Sequence, residues 1–188
     1  MRMSKLEVAG AAAVLLAAAT TVAYAQPKYG FGTTATPAEI ATWNIDVDRD
    51  GKALPPGKGS VAQGHELFDN QCAACHGAKG EGGLGDKLVG GQGTLATPKP
   101  VKTVGSFWPY APTLFDYIRR AMPLNAPQSL TNDEVYAVSA YVLNLNGLVP
   151  DNATLDAKSL AAVKMPNRNG FVQDPRPDAH NKACMSNC

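Results

Sequence analysis

The sequence lacks an excess of charge of either sign, and it has few cysteines. Its 188 residues contain 17 Lys and Arg against 16 Asp and Glu, so no basic surface argues for a nucleic-acid partner. Four cysteines are too few for a disulfide scaffold in a chain of this length, so their spacing carries more information than their number. No internal repeat is present. The length fits one modest domain with extensions rather than two catalytic domains.

No apolar run is long enough to span a bilayer, which takes about 20 apolar residues. The run Ala11–Ala19 is shorter, follows the positively charged start Met1–Lys5, and precedes the small-residue pattern Ala23-Tyr24-Ala25. This order predicts a signal peptide over residues 1–25, cleaved after Ala25, with an uncleaved membrane anchor as the alternative. We therefore expect an exported, periplasmic protein to which any cofactor is added outside the cytoplasm.

The mature chain has three zones. Residues 26–59 form an N-terminal extension with one short helical candidate at Pro37–Trp43, and residues 148–188 form a polar C-terminal extension with a helical turn or two near Leu155–Val163. Residues 60–147 carry the convincing helical periodicity and are predicted to be the folded domain.

Three capping boxes predict where the helices of that domain begin. Their N-caps are Ser60, Thr113 and Thr131, each with Gln, Asp or Glu three residues later, and Asn146-Gly147 ends the third helix. The Gly-rich stretch 77–112 between the first two helices has no periodicity. A loop of that length in a compact domain needs something to wrap around, and a large cofactor would serve.

Cys72-Ala73-Ala74-Cys75-His76 has the C-x-x-C-H spacing of covalent c-type haem attachment. One helical turn brings both thiols to the same face, where they can add to the two vinyl groups of a porphyrin, and the next residue directs its imidazole at the iron. The motif predicts a single covalently bound haem c, with Cys72 and Cys75 as thioether anchors and His76 as the proximal iron ligand.

Two other uses of the motif are weaker. A redox-active C-x-x-C pair is expected in a thioredoxin-like βαβ context, whereas the flanks here are a helix and a Gly-rich loop. A zinc site needs a second ligand pair, and Cys184-x-x-x-Cys188 is distant and poorly spaced for it.

The opposite axial ligand is predicted to be Met122. A thioether stabilises ferrous iron in electron-transfer cytochromes, and only Met122, Met165 and Met185 remain after the signal peptide. Met122 directly follows the second helix, and Pro123 prevents that helix from continuing. Met165 and His180 in the C-terminal extension stay open as alternatives. His65 is interpreted as a surface or packing residue of the first helix.

Several further residues have expected roles. Gly64 permits a close helix crossing, and Phe68 is expected to contact Tyr141 or Val138 there. Trp108, Tyr110 and Tyr117 are candidates for the lining of the cofactor pocket, with core packing equally open. Arg119 and Arg120 are candidate partners of the haem propionates. The stretch Asp46–Gly51 resembles half of a calcium loop, but Gly57 stands where the loop needs a glutamate, so we interpret it as a solvated turn.

The string from Gly64 through Phe68 to Cys72–His76 resembles small class I cytochromes c. More specific strings at 35–47, 90–95, 100–111 and 113–123, with the terminal Cys184 and Cys188, resemble the SoxD cytochrome subunits of the bacterial sulfur-oxidising system. The resemblance implies an all-α, class I cytochrome c fold: three main helices around one covalent haem, with long irregular extensions at both ends. It also implies that Cys72, Cys75 and His76 carry the haem and that Met122 is the distal ligand.

By the same resemblance, the chain accepts electrons from a molybdopterin-containing, SoxC-like sulfane or sulfite dehydrogenase subunit and passes them to a carrier cytochrome c. It is then not an enzyme by itself, and no catalytic constellation is apparent. Two departures from the family pattern matter. A second haem motif, which some members have, is absent, and Val89-Gly90-Gly91 replaces the Gly-Pro that braces the proximal histidine in many cytochromes. The carbonyl that accepts from the His76 ring is therefore left open.

Two alternative functions stay open at this point. A freely diffusing carrier would use charge around its cofactor, and residues 76–122 contain six Lys and Arg against three Asp and Glu. An enzyme in its own right would need an exchangeable axial position. Cys184 and Cys188 could close a small disulfide, pair with another chain or remain free thiols.

Overall fold

Helices dominate the computed structural model, which describes residues 32–176. In chain order the helices are α1 Pro37–Trp43, α2 Val61–Gln71, α3 Ala73–His76, α4 Ala111–Ala121, α5 Asn132–Leu145 and α6 Ala157–Ala161. The strands of the described residues are β1 Lys58–Ser60 and β2 Thr154–Asp156. The prediction of an all-α fold with three main helices is confirmed, with a small sheet added to it.

The chain divides into two units between Asn44 and Ile45, and α1 belongs to the first. Thr36 caps this helix, accepting from the N–H of Glu39 while the Glu39 carboxylate accepts from the N–H of Thr36. No residue of α1 is buried, and Trp43 is 83% exposed. The short helix predicted at these residues is therefore present and presents its apolar side chains to solvent.

Helices α2 and α5 begin where the capping boxes predict. Ser60 accepts from the N–H of Gln63 at 3.2 Å, and Thr131 accepts from the N–H of Glu134 at 3.3 Å. Helix α5 ends at Leu145, and Gly147 follows it with φ +70°. These boundaries depend on residues within one helical turn, so the local sequence is sufficient to predict them.

Helix α4 begins three residues earlier than predicted. Its N-cap is Tyr110 rather than Thr113, and the Thr113 hydroxyl donates to the Tyr110 carbonyl at 2.7 Å. Pro112 lies in the first turn, where the fixed φ of proline suits a helix and its missing N–H costs nothing. The expected capping role of Asp116 is wrong, because its carboxylate binds another segment of the chain.

The close crossing of α2 and α5 forms the centre of the core. A Cβ atom added to Gly64 would lie 1.9 Å from the carbonyl oxygen of Ala137, so only glycine permits this approach. Phe68 packs edge-on against Tyr141 with 5.3 Å between ring centroids, as expected. Both helices are thereby fixed next to the C-x-x-C-H segment, which begins where α2 ends.

The C-terminal extension packs on this core. β2 pairs antiparallel with β1, with Gly59 opposite Leu155, and leads into α6, which Asp156 caps. The helical turn expected near Leu155–Val163 is thus present as α6, and the strand before it was not expected. Apolar side chains of the extension are buried in the core, namely Leu155, Leu160, Val163 and Met165. Between residues 32 and 176, no helix is long and apolar enough to cross a membrane.

Candidate functional site

The C-x-x-C-H residues occupy one turn of helix. Cys72 ends α2 and starts α3, and the N–H groups of Cys75 and His76 both donate to its carbonyl, at 3.1 and 3.0 Å. Cys72 is half-buried and Cys75 is exposed. Positions three apart in a helical turn share a face, so both sulfur atoms are available to one planar ligand.

The His76 ring is held by a backbone carbonyl. Its Nδ1 lies 2.7 Å from the carbonyl oxygen of Asp86, which can only accept, so Nδ1 carries the proton and Nε2 keeps its lone pair. The sequence left this carbonyl unidentified, and the structure assigns it to Asp86. A histidine oriented in this way has the arrangement that metal-ligating imidazoles use.

The loop after His76 folds closely around the imidazole. The N–H of Gly82 donates to the carbonyl of His76 at 2.7 Å, and the N–H of Gly85 donates to that of Cys75 at 2.8 Å. A Cβ atom on Gly85 would lie 2.8 Å from Cε1 of His76 and 3.0 Å from Nδ1. Glycine at this position therefore lets the backbone lie directly against the ring.

The thiol of Cys72 does not have the character of a redox-active cysteine. Burial, with a smaller contribution from the adjacent Cys75, raises the pKa of Cys72 to about 11. Reactive C-x-x-C pairs depend on a lowered pKa that gives a thiolate near neutral pH. This environment weighs against the dithiol interpretation.

Asn146, at the end of α5, ties the Gly-rich loop to the helices. Its Nδ2 donates to the carbonyl of Leu88 at 3.1 Å and to that of Val142 at 2.9 Å. Gly105 lies against its side chain, since a Cβ there would be 2.1 Å from Oδ1. The residue predicted only to end a helix also positions two parts of the loop.

Two buried hydroxyl groups organise the loop further along. Thr103 Oγ1 donates to the carbonyl of Gly90 at 2.6 Å, and Ser106 Oγ donates to that of Val101 at 2.7 Å. Ser106 Oγ also accepts from the N–H of Thr103 at 2.9 Å. We did not single out either residue from the sequence. The available signal was a Thr and a Ser three residues apart, the spacing of a side-chain-capped turn.

Met122 lies at the C-terminal end of α4. Its N–H donates to the carbonyl of Ile118 at 3.0 Å, and the residue then leaves the helix with extended φ and ψ angles. The side chain is half-buried and packs against the core cluster. Met122 thus lies where the sequence predicts, directly after the helix and before Pro123.

The other candidate axial ligands are placed differently. Met165 is 3% exposed and belongs to the hydrophobic core. His65 stacks on Tyr141 with 4.6 Å between ring centroids and lies 3.4 Å from the carboxylate of Asp69, as a packing residue does. His180, Met185, Cys184, Cys188 and the signal peptide lie outside the described residues.

Arg119 and Arg120 contact the segment before β1. Arg119 Nη1 donates to the carbonyl of Ile45 at 3.3 Å, and Arg120 pairs with the carboxylates of Asp116 and Asp46. Hydrogen bonding to Asp116, ahead of the other causes, raises the pKa of Arg120 above its usual value. These contacts give no support to the propionate role, because the guanidinium groups serve the polypeptide itself.

The aromatic candidates pack at the surface of the second unit. Trp108 and Tyr117 meet edge-to-face at 5.7 Å, and Tyr117 is 48% exposed. The ring of Tyr110 has two guanidinium groups nearby, Arg49 at 5.8 Å and Arg168 at 5.1 Å. Tyr110 therefore joins a turn of the N-terminal extension to the C-terminal extension.

The stretch Asp46–Gly51 forms a turn. The N–H of Gly51 donates to the carbonyl of Asp48 at 2.8 Å, and the N–H of Asp48 donates to the carbonyl of Lys52 at 3.1 Å. The three aspartates of this stretch are exposed. The geometry agrees with the interpretation as a solvated turn.

The donor set suits a covalently bound haem. Such a cofactor needs two thiols one turn apart, an adjacent imidazole and a thioether. Here the imidazole is oriented through Nδ1, and the thioether is half-buried. The Gly85 backbone packs directly against the imidazole and helps to hold the orientation of the ring. The residues present therefore fit the group that the motif implies.

Comparisons with known proteins identify the family of this chain. The cytochrome c family matches residues 61–146. No curated protein matches the chain significantly. Among solved structures, a chain of the sulfane dehydrogenase SoxCD from Paracoccus pantotrophus is 43% identical, with a TM-score of 0.75 over 86% of this chain and 82% of that chain. Similarity of this extent goes well beyond the segment common to cytochromes c, and the chain belongs to the SoxD-type cytochromes c, which are electron-transfer proteins with covalently bound haem.

Proposed function

We propose that this chain is the haem-bearing electron-transfer subunit of a periplasmic sulfane or sulfite dehydrogenase. It accepts electrons from a molybdopterin-containing, SoxC-like subunit during sulfur-compound oxidation and passes them to a carrier cytochrome c. The observation that carries the proposal is the 43% identity to a chain of SoxCD over 86% of the sequence. The geometry around His76 supports the electron-transfer part of it independently.

Four residues would hold the cofactor. Cys72 and Cys75 would anchor one haem through thioether bonds, and His76 Nε2 and Met122 Sδ would ligate its iron. When bound, the haem supplies a one-electron ferric–ferrous couple. The Asp86 carbonyl fixes the imidazole orientation and raises its basicity, while the thioether of Met122 favours the ferrous state.

No acid, base or nucleophile is needed for this role, because outer-sphere electron transfer requires only a positioned cofactor and a docked partner. The protein's task would be to hold His76 and Met122 so that neither ligand exchanges with water. The short hydrogen bonds of Gly82 and Gly85 on one side, and the core packing of Met122 on the other, serve that purpose.

The N-terminal extension supplies a docking surface for the molybdenum subunit. Helix α1 presents Ile40 and Trp43, 53% and 83% exposed, at positions three apart and so on one face. Exposed tryptophans are strongly enriched among the residues that dominate binding energy in interfaces. Helix α1 lies outside residues 61–146, the segment that the chain shares with cytochromes c in general.

The proposal is tested with the co-expressed complex. Affinity purification of the full-length cytochrome should retain the SoxC-like subunit, and rapid mixing of the complex with a sulfane-sulfur substrate should reduce the haem at a rate that depends little on ionic strength. Trp43→Ala should weaken the retention, whereas Val172→Ala, at another exposed apolar residue, serves as the comparison.

The alternatives give different results. A freely diffusing carrier would purify alone, and its reduction would slow steeply with added salt, because the positive balance of residues 76–122 would steer encounter. An enzyme in its own right would bind carbon monoxide in the ferrous state at an exchangeable axial position. Either result would contradict the proposed role.

A further inference from the structure

The segment Ile45–Val47 is fastened to α4 by contacts that span about 70 residues of sequence. The N–H of Val47 donates to Asp116 Oδ1 at 2.9 Å, Arg119 donates to the carbonyl of Ile45, and Arg120 pairs with Asp46. The Val47 side chain is buried in the core. The segment is therefore part of the second unit and lies along helix α4.

Asp116 is the residue that joins these contacts. Its Oδ1 accepts from Val47 and from Arg120 Nη2, the latter at 3.1 Å, and its Oδ2 accepts from Arg120 Nε at 2.8 Å. The side chain is only 23% exposed, so these bonds are partly shielded from water. Charge-assisted hydrogen bonds of this kind are stronger than neutral ones.

These contacts bind α4 directly before Met122. Asp116, Arg119 and Arg120 lie in the two turns that end at Ala121, and the N–H of Met122 is bonded to Ile118 in the same turns. On the other side, Pro123 cannot continue the helix, and residues 124–129 are all exposed. The backbone of Met122 is therefore held mainly from its N-terminal side, while its side chain packs on the core.

We propose that Asp116 is a positioning residue: by fixing Ile45–Val47 to the last turns of α4, it holds the Met122 thioether in place as the distal iron ligand. This inference rests on the ligand assignment in the proposed function. It gives residues of the N-terminal extension a direct part in the stability of the haem ligation.

The test measures how easily an added ligand displaces Met122. Imidazole is titrated into the ferric holoprotein while the red charge-transfer band of thioether-ligated haem is followed. Because imidazole binds only the fraction of molecules in which Met122 has left the iron, its apparent affinity reports that fraction. Met122→Ala serves as the reference without a distal thioether.

Asp116→Ala should raise the apparent imidazole affinity about fivefold, which corresponds to about 1 kcal/mol, the usual net value of one hydrogen bond. Asp46→Ala removes only the outer, 74% exposed partner of Arg120 and should raise it about twofold. Because Asp46 is at the surface, this variant still decides the question if Asp116→Ala fails to mature.

Asp133→Ala is the matched control. Asp133 Oδ1 also accepts a backbone N–H from a distant segment, that of Lys58 at 2.8 Å, but it lies in the first turn of α5. We expect this variant to lower the melting temperature while imidazole affinity stays at the wild-type value.

Two results would overturn the inference. One is wild-type imidazole affinity in both Asp116→Ala and Asp46→Ala, or in Asp46→Ala alone if Asp116→Ala fails to mature. The other is an equal rise in Asp133→Ala, which would show a general loss of stability. A Met122→Ala protein that keeps the charge-transfer band would instead remove the ligand assignment itself, whereas failure to retain the SoxC-like subunit concerns only the proposed function.

Discussion

Gly64→Ala tests how much the close crossing of α2 and α5 contributes to the stability of the fold. A Cβ atom at residue 64 would lie 1.9 Å from the carbonyl oxygen of Ala137 and 2.8 Å from Cβ of Tyr141. The carbonyl of Ala137 is backbone in the middle of a buried helix, so no change of side-chain rotamer can relieve this clash. The two helices would have to separate.

The size of the effect follows from two opposing contributions. Ordinary contact begins at 3.4 Å, so the carbonyl must recede from 1.9 Å by about 1.5 Å. Over-packing of a core costs about 1–3 kcal/mol, and an immovable backbone obstacle places this case at the upper end. Alanine favours the helix by about 1 kcal/mol relative to glycine, which offsets part of this cost. We therefore expect a net loss of about 2 kcal/mol, or about 4–8 °C in melting temperature.

The assay is guanidinium unfolding of the holoprotein followed by far-ultraviolet circular dichroism. Ala62→Gly, at an exposed position of the same helix, is the matched control, and glycine should cost it about 1 kcal/mol. Alanine should thus be the better residue at position 62 and the worse one at position 64. A Gly64→Ala protein as stable as wild type would refute the close crossing.

Three further predictions concern the site and one helix cap. Met122→Ala should lower the reduction potential and abolish the thioether charge-transfer band, because the thioether stabilises ferrous iron; an unchanged spectrum would contradict the assignment. Gly85→Ala should push the His76 ring away from the Asp86 carbonyl, and redox potentiometry should show a raised potential because the imidazole becomes a poorer donor; an unaltered potential would speak against contact with the ring. Hydrogen bonds from Ser159 hold the pKa of Asp156 below its usual value, so this carboxylate stabilises the fold above about pH 3.9 and the benefit disappears as the pH falls through its lowered pKa. The difference in unfolding free energy between wild type and Asp156→Asn should accordingly be constant near neutral pH and shrink in acid, and a pH-independent difference would show that the charge contributes nothing.

Features of the fold that depend on one helical turn could be predicted from the sequence. The capping boxes at Ser60 and Thr131 place two helix starts correctly, because donor and acceptor are three residues apart. The spacing of Cys72 and Cys75 likewise determines their shared face. Each of these inferences needs only local geometry, so no tertiary information was required.

Asp116 shows why the same reasoning fails elsewhere. Three residues after Thr113, it has the spacing of a capping box, yet Pro112 starts the helix earlier and leaves the carboxylate one turn inside it. There it meets Val47, which is 69 residues away in sequence. Nothing in the local pattern distinguishes a carboxylate that caps a helix from one that binds a distant backbone N–H.

The hydrogen-bond partners of the loop could not be predicted from the sequence for a related reason. A backbone carbonyl carries no sequence signature, so the role of Asp86 toward the His76 ring does not depend on its side chain. Thr103 and Ser106 are ordinary loop residues until their burial is known, at 2% and 5% exposure. Without a carbonyl-bracing Gly-Pro, the chain holds the His76 ring with the carbonyl of Asp86 and the backbone of Gly85.

The residues outside the cytochrome c match contribute to the same structure as the haem-attachment segment. Val47, Leu155 and Leu160 are buried in one cluster with Phe68 and Tyr141, and β1 pairs with a strand that follows the match by eight residues. Removing these segments would expose apolar surface of α4 and α5, the helices that carry Met122 and the crossing with α2. The domain predicted at residues 60–147 therefore follows the sequence pattern, whereas the residues that stabilise the fold extend from Ile45 to at least Met165.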